Sequence, residues 1–207
     1  MPLDLTEFVA PAHTAVVTCE MQQGVIGDDA PTRELADEVK ELGVLEAAVA
    51  LVRGARATGV RVVHATVALR ADRAGLSINN PMMAYVVRNP SQVLEGTPAA
   101  EVVPELGPAP EDIMCRRIHG LTPFNGTELD SILRNLGVRT IVPVGVSLNE
   151  AVMGLCICAA DLGYRIALPT DAVAGIPRAY AQDVLQHTLG YLSNLTTTDK
   201  VLAAWNF

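Results

Sequence analysis

A carboxylate set directly after a buried strand is costly unless it has a partner or a task. Glu20 holds that position, at the end of the apolar run "TAVVTC" (Thr14–Cys19), and Met21 and Gln22 follow it. A second polar group, Arg116, Arg117 and His119, closes the run "DIMCRRI" and the residue after it. A third, Ser147 and Asn149, lies in the turn after "TIVPVGV". A carboxylate, a guanidinium and a polar turn at a helix N-terminus suit proton transfer and the anchoring of an anion. Strand alternation sends Arg116 and Arg117 to opposite faces, so at most one of them joins the other groups. Plainer roles compete: Glu20 as half of an ion pair between strands, His119 as an exposed or capping residue, and Asn149 as a helix N-cap.

No thiol stands at this turn. "VPVGVSLNEAVMGLCICAADLGYR" (Val142–Arg165) offers Ser147, Asn149, Glu150 and Ala151 where strand gives way to helix. Cys158 points the same way as Ala151 but lies about 10 Å further along the helix, and Cys156 is turned by about 140°. Cys19 faces away from Glu20 on its strand, and Cys115 sits within another strand. All four are expected to be small, reduced core residues of a cytoplasmic protein. No Cys-x-x-Cys pair occurs, so neither a zinc knuckle nor a redox motif is expected.

These groups need a scaffold that brings strand ends together. Apolar runs at "TAVVTC", "VRVVHATVAL", "DIMCRRI", "TIVPVGV" and "YRIALPT", with a short "NLTTT", predict five or six strands. Helical patterns separate most of them, and Gly137, Gly163 and Gly190 stand where helix C-caps are expected. Leu35, Val39, Leu42, Leu45, Val49 and Val52 form one helical stripe, which Gly43 could break. The expected fold is α/β: a three-layer, mostly parallel sheet with helices on both faces, in a single domain over residues 1–207. The excursion from Arg70 to Pro110 lacks a period, and its length points to covering a site or meeting a neighbouring subunit. Ligands of such sheets bind beyond the carboxyl ends of the strands, where all three polar groups fall.

Composition narrows the function classes. Fifteen Lys and Arg against 23 Asp and Glu give a net charge of −8, and no basic run is interleaved with aromatics. Nucleic acid and anionic membrane are therefore not expected as partners. No apolar stretch reaches the length of a membrane span, and the start "MPLDLTEFVAP" lacks a signal-peptide layout. Neither Gly-x-Gly-x-x-Gly nor a phosphate-binding Gly-Lys-Ser/Thr is present, so no nucleotide cofactor is expected.

"VVTCEMQQGVIG" resembles the Asp-x-Gln first-strand motif of the isochorismatase-like hydrolases, which include nicotinamidases and N-carbamoyl amidases. "RRIHGLTPFNGTELDSILRNLGVRTIVPVGVSLNEAVMG" resembles their central block, and "DLGYRIALPTDAVAG" the block after it. The likeness runs in order over essentially the whole chain. It implies the Rossmann-like isochorismatase fold, a homo-oligomer (dimer or tetramer), and a cis bond at Val146–Ser147. Amidases of the family use an Asp, a Lys and a Cys. Their places fall here on Glu20, on Arg117 (with Ile118 or His119 as competitors) and on Ala151, so all three residues are changed. The Asp/His metal cluster of nicotinamidases has no counterpart in "HATVALRADRAG", and no metal is expected.

Amide hydrolysis through an acyl-enzyme needs the missing nucleophile. Hydrolysis of a vinyl ether, the reaction of isochorismatases proper, needs only a proton donor and an anchor for the substrate's carboxylates. The resemblance thus implies a hydrolase of a small carboxylated substrate, with Glu20 as acid and Arg117 as electrostatic anchor. His119, Ser147, Asn149, Ala151 and Gln22 are the expected substrate-binding residues. One tension is inherent, since a proton donor needs a raised pKa and a neighbouring arginine lowers it. The competing expectation is an inactive relative that binds a small molecule or a partner chain. An amidase of unusual mechanism is a third.

Overall fold

A computed structural model describes residues 4–28, 30–89 and 93–207. Six strands, β1 (Thr14–Cys19), β2 (Arg61–Val67), β3 (Ile113–Arg117), β4 (Thr140–Gly145), β5 (Arg165–Pro169) and β6 (Asn194–Thr196), form one sheet. Their order is β3-β2-β1-β4-β5-β6, and every adjacent pair is parallel. The chain therefore winds outward in both directions from the β1–β4 pair, and the ends of these two strands form the crevice where such sheets bind ligands.

The near-continuous apolar runs are explained by burial on both faces, since β1 and β4 are fully buried along their length. Alternate residues serve two separate cores. Val16, Val62, Val142 and Val144 pack with α1 (Arg33–Glu41), α2 (Val44–Thr58) and the C-terminal Val201 and Trp205. Val17, Val63, Ile141 and Ile166 pack on the other face with Leu133, Leu155 and Val184. The expected α/β sandwich is the fold observed.

The structure adds detail at three places. Gly43 adopts a left-handed conformation (φ 68°) and divides the anticipated helix into α1 and α2. The buried stripe is re-phased at that break, to Val44, Ala48, Leu51, Val52 and Ala55, so that Leu42 is exposed. Gly137 and Gly163 follow their helices with positive φ, as expected, whereas Gly190 closes the turn Leu185–Leu189 with helical backbone (φ −61°) and leads directly into a further helical turn. The excursion contains α3 (Pro81–Arg88), which starts with Pro81 in its first turn and Asn80 Oδ1 accepting from the Met83 amide at 2.9 Å.

Beneath β1 and β2 lies a buried polar line with the residue types of a catalytic triad. His64 Nδ1 is 2.8 Å from Thr18 Oγ1, and His64 Nε2 is 3.2 Å from Asp112 Oδ2. Asp112 also accepts from Arg56 Nε at 3.2 Å and from the Ala109 amide at 2.8 Å. Neither Thr18, His64 nor Asp112 lines the cavity beyond the end of β1, and His64 is wholly buried, so the line ties β1, β2, α2 and the start of β3 together. Burial lowers the His64 pKa below its usual 6.5, outweighing the opposing pull of Asp112. Burial alone would raise Asp112, but Arg56, the Ala109 amide and His64 hold it below the ordinary carboxyl value. In both cases the unfolded chain takes up protons first, so stability is present at neutral pH and falls as pH drops through 6.5 and below. Urea unfolding from pH 7.5 to 5 should show this loss, and His64→Leu should flatten it.

Candidate active site

At the end of β1 the chain turns sharply at Glu20, which has φ 52°, a conformation that costs a residue with a side chain about 1 kcal/mol or more. Neighbouring backbone holds it there: the Glu20 amide donates to Ala65 O at 2.9 Å, and the Val146 amide to Cys19 O at 3.0 Å. Gly145, at φ 111°, admits this close approach; a Cβ there would lie 2.3 Å from Cys19 O. Gln22 locks the turn from behind. Its amide donates to Val67 O and Ala100 O and accepts from the Val67 amide, each at 2.8 Å, and it is wholly buried.

Strand alternation divides the two arginines as anticipated. Arg116 points outward to Glu95, while Arg117 is buried and ion-paired with Glu20 through Nη2. Arg117 Nε donates to Gly120 O at 3.1 Å, and its buried Nη1 has no partner among the described residues. Ile118 turns towards Gly75, so Arg117 is the one of the three candidates that meets Glu20.

Glu20 and Arg117 open onto a cavity of about 290 Å³. Ser147, His119 and Glu150 line it too, and His119 Nδ1 is buried without a partner among the described residues. Leu35, Leu69, Met82, Met83, Val86 and Ile176 make an apolar wall, with α3 laid over the strand ends as part of it. Arg117 is the only Lys or Arg lining the cavity among the described residues.

Not every expected binding residue reaches this space. Gln22, Asn149 and Ala151 do not line it. Ser147, rather than Asn149, occupies the N-cap position of the wide turn Leu148–Val152 that opens α4 (Met153–Asp161). Asn149 Nδ2 instead donates to Ile176 O at 3.2 Å, which clips the turn to the loop after β5. Ala151 is packed into the core. The Val146–Ser147 peptide is cis.

Glu150, which the sequence places in this turn without assigning it a role, lines the cavity. An acid one place before a buried Ala151, inside a run as apolar as "VPVGVSLNEAVMG", is itself a signal. Burial raises its pKa above the usual 4.5, and the charge of Glu20 pushes it the same way.

No thiol lines the cavity. Cys19, Cys115 and Cys156 are buried, and burial raises the pKa of each, that of Cys156 to about 12. Cys158 is partly exposed and contacts Thr122 Oγ1 at 3.3 Å. Iodoacetamide should therefore modify Cys158 alone in the native protein, as read by peptide mass spectrometry. Among the described residues no group of three or more His, Cys, Asp or Glu is placed to hold a metal ion.

Comparison with known proteins fits this arrangement of strand ends. The isochorismatase domain model matches residues 14–200. The chain belongs to the isochorismatase family. The family protein YecD of Escherichia coli O157:H7, itself uncharacterised, is 29% identical over 92% of this chain and 95% of its own. An isochorismatase family protein from Desulfovibrio vulgaris superposes with a TM-score of 0.79 at 26% identity, over 93% of this chain and 99% of that one. N-carbamoylsarcosine amidase from Thermoplasma acidophilum shares the fold at 23% identity, with a TM-score of 0.72 over 90% of this chain and 97% of that one. The Glu20–Arg117 pair lies beyond the end of β1, and Ala151 lies in the turn that opens α4. No helix among the described residues is long and apolar enough to cross a membrane.

Proposed function

We propose that this isochorismatase-family protein hydrolyses a small, mainly apolar substrate carrying one carboxylate, by acid–base chemistry without a covalent intermediate. One observation carries the reading: the cavity holds a carboxylate paired to a guanidinium, and no cysteine lines it among the described residues. Arg117 Nη1, buried and unpaired among the described residues, is the donor available to a substrate carboxylate, and His119 Nδ1 is a second polar contact. Glu20 exchanges the proton that bond cleavage requires. Ser147 edges the cavity, while Gln22, Asn149 and Ala151 support the site from behind.

Charge limits the substrate. Glu20 already neutralises the one lining guanidinium, and Glu150 adds a further acid. A dicarboxylate such as isochorismate would bring a second anion with no cation to meet it, whereas a monocarboxylate with an apolar body suits Arg117 and the wall of Met82, Met83 and Val86. The free thiols support a reducing, cytoplasmic setting.

The test is a panel of vinyl ethers, esters and amides with one or two carboxylates, scored for turnover. Turnover of a monocarboxylate, preferred over its dicarboxylate analogue and unchanged by iodoacetamide, is the expected result. Turnover confined to amides and abolished by the reagent would contradict it. Tight binding of panel members without turnover would instead favour a binding protein, a reading supported by the replacement of Asp, Lys and Cys at once.

A further inference from the structure

We propose that Glu150 is the second acid–base group of the cavity, delivering to the substrate the proton while Glu20 takes one from the attacking water. This rests on the hydrolase reading above and assigns the two halves of its proton traffic. The two carboxyl groups face one cavity from different elements, Glu20 from the end of β1 and Glu150 from the turn that opens α4. Their surroundings differ. Glu20 is bound to Arg117, which uses it as a carboxylate. No hydrogen bond or ion pair holds the Glu150 carboxyl among the described residues. With one guanidinium for two acids, the cavity is neutral when Glu150 carries its proton, and only then does it accept an anionic substrate without net repulsion. Burial and the charge of Glu20 both favour that protonated form. Glu150, whose proton burial favours, is then the donor, and Glu20, held by Arg117, the acceptor.

For a vinyl ether the steps balance as follows. The O–H bond of Glu150 breaks as a C–H bond forms at the terminal alkene carbon, leaving an oxocarbenium ion. Water adds to that ion, its oxygen bonding to carbon and its proton passing to Glu20. The hemiketal then collapses: its C–O bond to the leaving oxygen breaks, that oxygen takes the proton held by Glu20, and the hydroxyl gives up its own proton as the C=O bond forms, yielding a ketone and an alcohol. Overall, one water is consumed, and Glu150 regains its proton through solvent to reset.

The experiment compares wild type, Glu150→Gln, Glu150→Asp and His119→Asn on the best vinyl ether of the panel, measuring kcat and KM from pH 5 to 9. The titratable and charged groups facing Glu150 across the cavity are Glu20, Tyr85, Arg117 and His119. Wild-type kcat should fall as pH rises above the ordinary carboxyl value and Glu150 loses its proton. Glu150→Gln should lower kcat by about 100-fold or more at little cost in KM and abolish that dependence. Glu150→Asp should recover part of the rate, and His119→Asn should keep the limb. A Glu150→Gln enzyme within about threefold of wild type, or a limb lost in His119→Asn and kept in Glu150→Gln, would overturn this assignment and leave the hydrolase reading standing. Absence of wild-type turnover on every substrate would overturn both.

Discussion

Glu20→Gln is expected to lower kcat on the preferred substrate by about 10²–10⁴-fold, the usual contribution of a positioned proton-transfer group. The amide is nearly isosteric and still offers an oxygen to Arg117 Nη2, so the contact that places the side chain survives. The strained turn also survives, because backbone amides and Gln22 hold it, not the carboxylate. What disappears is the ability to take up and release a proton. Circular dichroism should remain that of wild type while turnover is lost. Equal kcat in the two proteins would remove Glu20 from the chemistry and reduce it to a structural ion-pair partner.

Arg117→Met is expected to destabilise the fold by about 3–5 kcal/mol, the cost of removing one partner of a buried ion pair. Arg117 is 4% exposed, so Glu20 would be left as an uncompensated charge in a largely apolar pocket. The loop from Ile118 to Leu121 would also lose its anchor, the bond from Arg117 Nε to Gly120 O. Urea unfolding of the double variant Glu20→Gln/Arg117→Met separates these effects, because neutralising both partners should recover most of the lost stability and none of the activity. If the double variant were as unstable as Arg117→Met alone, the loss would come from packing and loop anchoring instead of charge.

The parts of the fold that read plainly from sequence are those governed by burial. "TAVVTC" and "TIVPVGV" are apolar at nearly every position because both faces of β1 and β4 are covered. The division between Arg116 and Arg117 also followed from strand geometry alone. Features governed by a cavity were harder to see. Met82, Met83, Tyr85 and Val86 share helical spacing in α3, but that helix is only about two turns long inside a stretch rich in Pro, Asn and Gly, so its pattern does not stand out. Gly43 shifted the phase of the stripe on α2, because a left-handed residue rotates everything after it. Glu150 draws no role from the sequence because a glutamate in the first turn of a helix is ordinary at a surface; only the three-dimensional arrangement shows that this one faces a cavity. Ala151 illustrates the reverse, since its correspondence to a family position says nothing of exposure, and here it is packed beneath the turn.

The most direct measurement is the intact mass of the protein, quenched by acid within milliseconds to seconds of mixing with a substrate it turns over. Proton transfer between Glu20, Glu150 and water predicts the unmodified mass at every time point. An increment equal to a fragment of the substrate, mapped to any of the four cysteines, would contradict it.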